Sequence, residues 1–252
     1  MLIEPIAAFT DNYIWAIIQP DNQQCILVDP GDAAVAAQFL VDRQLNLNAI
    51  LITHHHDDHV GGVTELVSHY DCPVYGPKYE NIPCCGQKLQ EGAVVELPEF
   101  DLQLEIMEVP GHTLGHIVYY NDNYLFCGDA LFSGGCGRVF EGSCEQMHNS
   151  LSKLKNLADE SLVYCAHEYT ATNLQFGLAV EPENSAIQQR LAQIAGSVKP
   201  SLPSNIGLEK DINVFLRCDQ PAVINAAKEH VGENISTEEE VFCAIRRWKD
   251  EF

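Results

Sequence analysis

The stretch from Ile50 to Gly62, ILITHHHDDHVGG, constrains this chain more than any other. An apolar run with the look of a buried strand ends in four histidines and two aspartates within six residues. His54 and His56 are two apart, so in extended chain their imidazoles point to one face and can reach one metal. Asp58 and His59 are adjacent and would point apart in a strand. If the chain turns here, toward a helix starting near Gly61, both project into one cavity beside the first pair. Gly61 and Gly62 permit such a close turn. His55 and Asp57 are then spacers directed elsewhere.

One loop does not supply enough donors for two metals. Three more candidates stand at the ends of strand-like runs: His112 in VPGHTLGH, Asp129 in LFCGDALF and His167 in VYCAHEYT. Strand ends beside glycine are common places for site residues. A lone histidine after a strand is more often structural, but three such positions together with HxHxDH favour a metal centre. Imidazole and carboxylate ligands suit zinc, and also iron or manganese. Structural zinc sites are usually closed and rich in thiolate. A His/Asp set therefore favours catalysis over a metal-stabilised binding module.

The chain has 252 residues, enough for one large domain or two unequal ones. Its first two thirds read as a mixture of strands (YIWAIIQ, QCILVDPG, LNAILIT, CPVYGP, LQLEIMEVPG, HIVYYN, YLFCGD, SLVYCAH) and helices (AAVAAQFLVDRQL, GGVTELVSHY, CEQMHNSLSKLKNL). After His167 the pattern turns helical. We therefore expect an α/β catalytic domain over residues 1–168 and a smaller helical domain over 169–252. The net charge of −22 argues against nucleic acid or an anionic membrane surface as partner. No secretory signal or membrane span is read, so a cytoplasmic protein is expected. The ten cysteines contain no CxxC and read as reduced, mostly core, thiols.

THHHDDH (53–59), VPGHTLGH (109–116), CGDALF (127–132) and CAHEYT (165–170) together resemble the metallo-β-lactamase superfamily, in its order of motifs. The resemblance implies an αββα sandwich with two divalent metals, zinc being expected and iron or manganese the alternatives. It assigns His54, His56 and His112 to one metal and Asp58, His59 and His167 to the second, with Asp129 bridging. Asp58 would also orient the attacking water. Asp29 in VDPG looks like the superfamily's aspartate beneath the site, with an ordering role.

Within the superfamily, FTDNYIW (9–15), GCGRVFEG (135–142), HEYT and the terminal RRWKDEF (246–252) resemble the hydroxyacylglutathione hydrolases, or glyoxalase II family. That implies a monomer that hydrolyses a glutathione thioester, with Arg138, Tyr169, Arg246 and Lys249 binding glutathione. Arg246 and Lys249 are three apart and share a helix face. Two positions depart from the family: Arg138 stands where lysine is usual, and Phe140 where tyrosine is usual. The first keeps the charge but not the geometry, and the second removes a hydroxyl. Persulfide dioxygenases of the same scaffold use one iron and fewer ligands, whereas the full second-metal set is present here. A lactamase or nuclease of this fold fits the helical tail and the acidic charge less well.

Overall fold

The computed structural model describes residues 1–197, 199–232 and 234–252. The chain forms two compact units: Met1–Glu108 with Gly115–Gly128, and Val109–Leu114 with Asp129–Phe252. All ten cysteines are free thiols.

The first unit contains β1 (Leu2–Ala8), β2 (Asn12–Gln19), β3 (Gln24–Val28), α1 (Ala33–Arg43), β4 (Asn46–Leu51), α2 (Asp57–Val60), α3 (Val63–Tyr70), β5 (Val74–Pro77), β6 (Gln87–Leu89), β7 (Val94–Leu97), β8 (Leu102–Glu108), β9 (Ile117–Tyr120) and β10 (Tyr124–Gly128). Strands β1 to β6 lie side by side in chain order. The first three are antiparallel, joined by short turns. From β3 onward the pairing is parallel. Helices α1 to α3 make the β3–β4 and β4–β5 crossovers, since a parallel neighbour needs one. Asp32 caps α1, accepting from the N–H groups of Ala34 and Val35.

Both faces of the sheet are buried across β2 to β4, which is why those strands read as unbroken apolar runs rather than alternating ones. Ile14, Ala16, Ile18, Leu27 and Ile50 pack with Ala36 and Leu40 of α1 and with Val63 and Leu66 of α3. The alternate residues Trp15, Ile17, Ile26, Val28 and Leu51 are buried on the opposite face. Strands β7 to β10 form an antiparallel sheet. It meets the first sheet just beyond β4: Ile117 N–H donates to Thr53 O (3.0 Å) and Tyr119 Oη to Ile52 O (2.8 Å). Helices on one face of a sheet and strands on the other are the layering expected of the sandwich.

The second unit contains β11 (Leu131–Phe132), β12 (Gly135–Cys136), α4 (Cys144–Lys155), β13 (Leu162–Cys165), α5 (Thr170–Val180), α6 (Ser185–Ile194), β14 (Ser204–Asn205), α7 (Ile206–Ile212), α8 (Pro221–Val231) and α9 (Glu238–Glu251). Among the described residues from Thr170 on, the regular elements are helices apart from the two residues of β14, in keeping with the helical pattern of the sequence. Capping boxes start α4 (Ser143 with Gln146) and α9 (Thr237 with Glu240). Glutamates 238, 239 and 240 in the first turn of α9 and Lys249 in its last complement the helix dipole. Phe176, Phe215, Phe242 and Trp248 interlock with centroids 5.6 to 6.0 Å apart and seat α9 on α5. Helix α7 grips the β11–β12 hairpin. Glu209 accepts from Ser133 Oγ and Gly134 N–H (both 2.8 Å), and Asn213 Nδ2 donates to Phe132 O (3.1 Å) and Gly135 O (2.9 Å).

Candidate active site

Four of the seven predicted ligands lie in the first unit, just past the C-terminal end of β4. Asp29, at the end of β3, organises them. Its Oδ1 accepts from the Thr53 N–H (2.8 Å) and its Oδ2 from Thr53 Oγ1 (2.7 Å), while His59 Nδ1 lies 3.0 Å from Oδ2. A carboxylate at Nδ1 places the ring proton there and leaves the Nε2 lone pair for a metal. Asp29 thus has the ordering role expected of it. His59 Nε2 is 3.6 Å from Asp58 Oδ2. The turn that brings Asp58 and His59 together is α2, opened by His56 O, which accepts from the N–H groups of His59 and Val60. Gly31 makes room for it, since a Cβ there would lie 1.9 Å from Asp58 O.

His54 Nε2 and His56 Nδ1 converge to 3.1 Å, as their i, i+2 spacing predicts. His116 stacks on His54 at 4.6 Å and 18°, so it supports the ring of a predicted ligand. The two spacers behave as expected. His55 turns to Glu80 (3.1 Å) and Asp57 is exposed. Sequence reasoning missed Asn12, whose Nδ2 donates to Asp58 Oδ2 at 2.9 Å and fixes that carboxylate. The only signal for it was its place within FTDNYIW.

The other three predicted ligands lie in the second unit, all buried. His112 Nε2 faces Asp129 Oδ2 and His167 Nε2 faces Asp129 Oδ1, each at 3.4 Å. Those separations exceed a normal N–H···O bond. The two oxygens of one carboxylate, each with its own imidazole, suit a ligand shared by two cations. His112 Nδ1 lies 2.8 Å from Arg138 O. A carbonyl only accepts, so the proton sits on Nδ1 and Nε2 is open to a metal. His167 stacks on Tyr169 at 4.7 Å and 7°. These nitrogen and oxygen donors, preset in tautomer, fit divalent metal ions.

A cavity of about 330 Å³ in the second unit is lined by His112 and Asp129 and by all four predicted binding residues: Arg138, Tyr169, Arg246 and Lys249. Arg246 and Lys249 do share a helix face, but they are not a solvated pair. Arg246 is only 6% exposed, with Nη1 donating to Cys136 O (3.0 Å) and its guanidinium 5.1 Å above the Phe215 ring. Lys249 is half-buried over the Phe176 and Phe252 rings, and burial, with Arg246 beside it, lowers its pKa below the ordinary 10.5. Phe140 is 60% exposed and sets its ring edgewise to His112 at 5.3 Å.

Gly137, next to Arg138, lies hard against two of the predicted ligands. A Cβ there would lie 2.0 Å from Asp129 O and 3.1 Å from His112 Nδ1. Gly137→Ala is expected to displace both ligands. Turnover should fall by about 10- to 100-fold, metal content should drop, and the melting temperature should fall as well, because the clash is with backbone. Steady-state rates and elemental analysis of one sample test this, and wild-type values in both would refute it.

The metallo-beta-lactamase superfamily profile matches residues 10–167, and that of the hydroxyacylglutathione hydrolase C-terminus matches 168–252. The hydroxyacylglutathione hydrolase of Aeromonas salmonicida is 50% identical over 252 residues, covering 98% of each chain. That of Nitrosomonas eutropha is 48% identical over 256 residues, again covering 98% of each. Among solved structures, ETHE1 from Myxococcus xanthus shares the fold with a TM-score of 0.68 at 23% identity, over 99% of this chain and 98% of that one. TTHA1623, solved in a di-iron-bound form, gives 0.60 at 25% identity over 84% and 100%. With both profiles matched end to end and relatives near half identity at full length, the chain belongs to the hydroxyacylglutathione hydrolase family of the metallo-β-lactamase superfamily.

Proposed function

We propose that this protein hydrolyses S-2-hydroxyacylglutathione, with S-D-lactoylglutathione as the principal substrate. The products are glutathione and a 2-hydroxy acid, D-lactate, as in the second step of methylglyoxal detoxification. One observation carries the reading beyond family membership. In a chain of net charge −22, a single cavity gathers three cations, Arg138, Arg246 and Lys249, beside the ligands His112 and Asp129. Glutathione carries a carboxylate at each end of the tripeptide and its thioester on the central cysteine side chain, so its anionic ends can meet the cations while the thioester reaches the metal-ligand side.

The ligand roles we propose are His54, His56 and His112 for one ion, Asp58, His59 and His167 for the other, and Asp129 for both. Zinc is the first choice for the two ions, with iron or manganese as alternatives. When bound, such ions would lower the pKa of a water far below its bulk value, toward about 7, and polarise the thioester carbonyl. The remaining work falls to the side chains. Asp58, held by Asn12, orients the attacking water, and Asp29 and Arg138 O keep the imidazoles in the metal-binding tautomer. Tyr169 and the cations hold glutathione. The departing thiol has an ordinary pKa of about 8–9, so it leaves as thiolate without a dedicated acid. Residues 1–168 serve as the catalytic domain and 169–252 as the glutathione-binding one, in a cytoplasmic monomer. Among the described residues no helix is long and apolar enough to cross a membrane.

The test is hydrolysis of S-D-lactoylglutathione by pure protein loaded with zinc or iron, compared with other thioesters and with metal counted on the same sample. The expected result is turnover that prefers the glutathione thioester, with about two ions per chain. Metal-loaded protein without thioesterase activity would overturn the reading. Oxygen uptake with glutathione persulfide at one iron per chain would replace it with a dioxygenase.

A further inference from the structure

Asp250 follows Lys249 near the end of α9, and the proposed reaction gives it no task. Its Oδ1 accepts from Arg138 Nε at 3.0 Å and from Arg246 Nη2 at 3.1 Å. One carboxylate oxygen therefore bridges two guanidinium groups, one from the loop after β12 and one from four residues back on its own helix.

The two arginines differ in what they have left to offer. Arg246 is buried and committed: Nη1 to Cys136 O, Nη2 to Asp250, and its face to Phe215. It fastens α9 to β12 and gives Asp250 a fixed partner. The Arg138 side chain is 56% exposed and is held through Nε. A guanidinium offers donors along a rigid planar fork. Gripped at Nε, it keeps the edge formed by its two Nη groups for a second, bidentate carboxylate. Without that grip, a long exposed arginine must lose its rotamer freedom when the ligand binds, which weakens binding.

We infer that Asp250 is a positioning residue for glutathione recognition. Anchored by Arg246, it presents the Nη edge of Arg138 to a carboxylate of the glutathionyl group. The inference rests on the glutathione-thioester reading above. Arg246, besides its place in the cation cluster, holds Asp250, and Asp250 in turn holds Arg138.

The test is steady-state hydrolysis by wild type, Asp250→Ala, Arg138→Ala and the double variant. Two substrates are compared: S-D-lactoylglutathione and the D-lactoyl thioester of N-acetylcysteamine, which lacks both glutathionyl carboxylates. Asp250→Ala is expected to raise KM for the glutathione thioester about tenfold, equivalent to about 1.4 kcal/mol, with kcat within about twofold. The N-acetylcysteamine thioester should change less than about twofold. In the Arg138→Ala background, removal of Asp250 should add nothing further. Asp250→Asn, which keeps an oxygen but not the charge, should fall between wild type and Asp250→Ala. An unchanged or lowered KM, equal losses on both thioesters, or additivity with Arg138→Ala would each overturn the inference. If the wild type hydrolyses neither thioester, the thioesterase reading falls and this inference falls with it.

Discussion

Asp129→Ala is expected to lower kcat/KM for the glutathione thioester by at least about 10³-fold and to cost the protein bound metal. At about 1.36 kcal/mol per tenfold, that is roughly 4 kcal/mol of transition-state stabilisation. The size follows from geometry. Asp129 offers one oxygen to the side of His112 and the other to the side of His167, each 3.4 Å from an Nε2. Among the described residues no other carboxylate lines that cavity. Alanine leaves the two buried imidazoles without the carboxylate proposed to join two ions and to offset part of their charge. Elemental analysis should show occupancy falling from about two ions per chain to one or fewer. Circular dichroism should show the fold retained, because Asp129 lies beyond the end of β10 rather than in its ladder. Asp57→Ala is the internal control: it removes an exposed aspartate next to Asp58 and should change neither metal nor rate. Full occupancy with more than a tenth of wild-type activity in Asp129→Ala would remove Asp129 from the bridging role.

What could be read from the sequence was what local pattern encodes. Strands β2 to β5 and helices α1 and α3 announce themselves because their apolar spacing answers to burial that each segment meets along its whole length. The i, i+2 geometry of His54 and His56 is likewise local, and so is the turn at Asp58 and His59. Strands β1, β6 and β7 carry weaker signals. β1 pairs along its length with β2 yet has mixed exposure, and β6 and β7 are three and four residues long. The hairpin β11–β12 reads as a glycine-rich loop, because only pairing makes two-residue strands. Long-range partners account for the other omissions. Asn12 reaches Asp58 across 46 residues. Arg246 stands in RRWKDEF, which looks like a solvated helix end. Its burial is decided by Cys136 and Phe215, both far away in sequence.

Glu209 is the extreme case of such a hidden partner, and its removal should have the largest effect on stability. It stands in the polar segment KPSLPSNIGLEKD and reads as a surface residue, yet it is fully buried. Its Oε1 accepts from Ser133 Oγ (2.8 Å) and its Oε2 from Gly134 N–H (2.8 Å) and Asn213 Nδ2 (3.4 Å). Glu209→Ala strands those donors and leaves a void, so a loss of about 3–5 kcal/mol is expected in denaturant unfolding. Glu209→Gln should cost no more than about 1 kcal/mol near neutral pH. Its carbonyl can accept from Gly134 and Asn213 while its amide donates to the Ser133 hydroxyl. The two proteins should separate with pH. Burial raises the Glu209 pKa above the ordinary 4.5, against the opposing pull of its hydrogen bonds. A folded-state pKa above the unfolded one means that the folded state holds the proton more tightly. The resulting stabilisation is complete below the ordinary value and is lost as pH rises through the raised one. Wild type minus Glu209→Gln should therefore shrink from about pH 4 upward and then level off, and a flat difference would show that Glu209 keeps its ordinary pKa in the fold. The same clamp holds the hairpin whose next residues are Gly137 and Arg138. Glu209→Ala should then also raise KM at temperatures where the variant is still folded, because the loop that presents Arg138 has lost its floor.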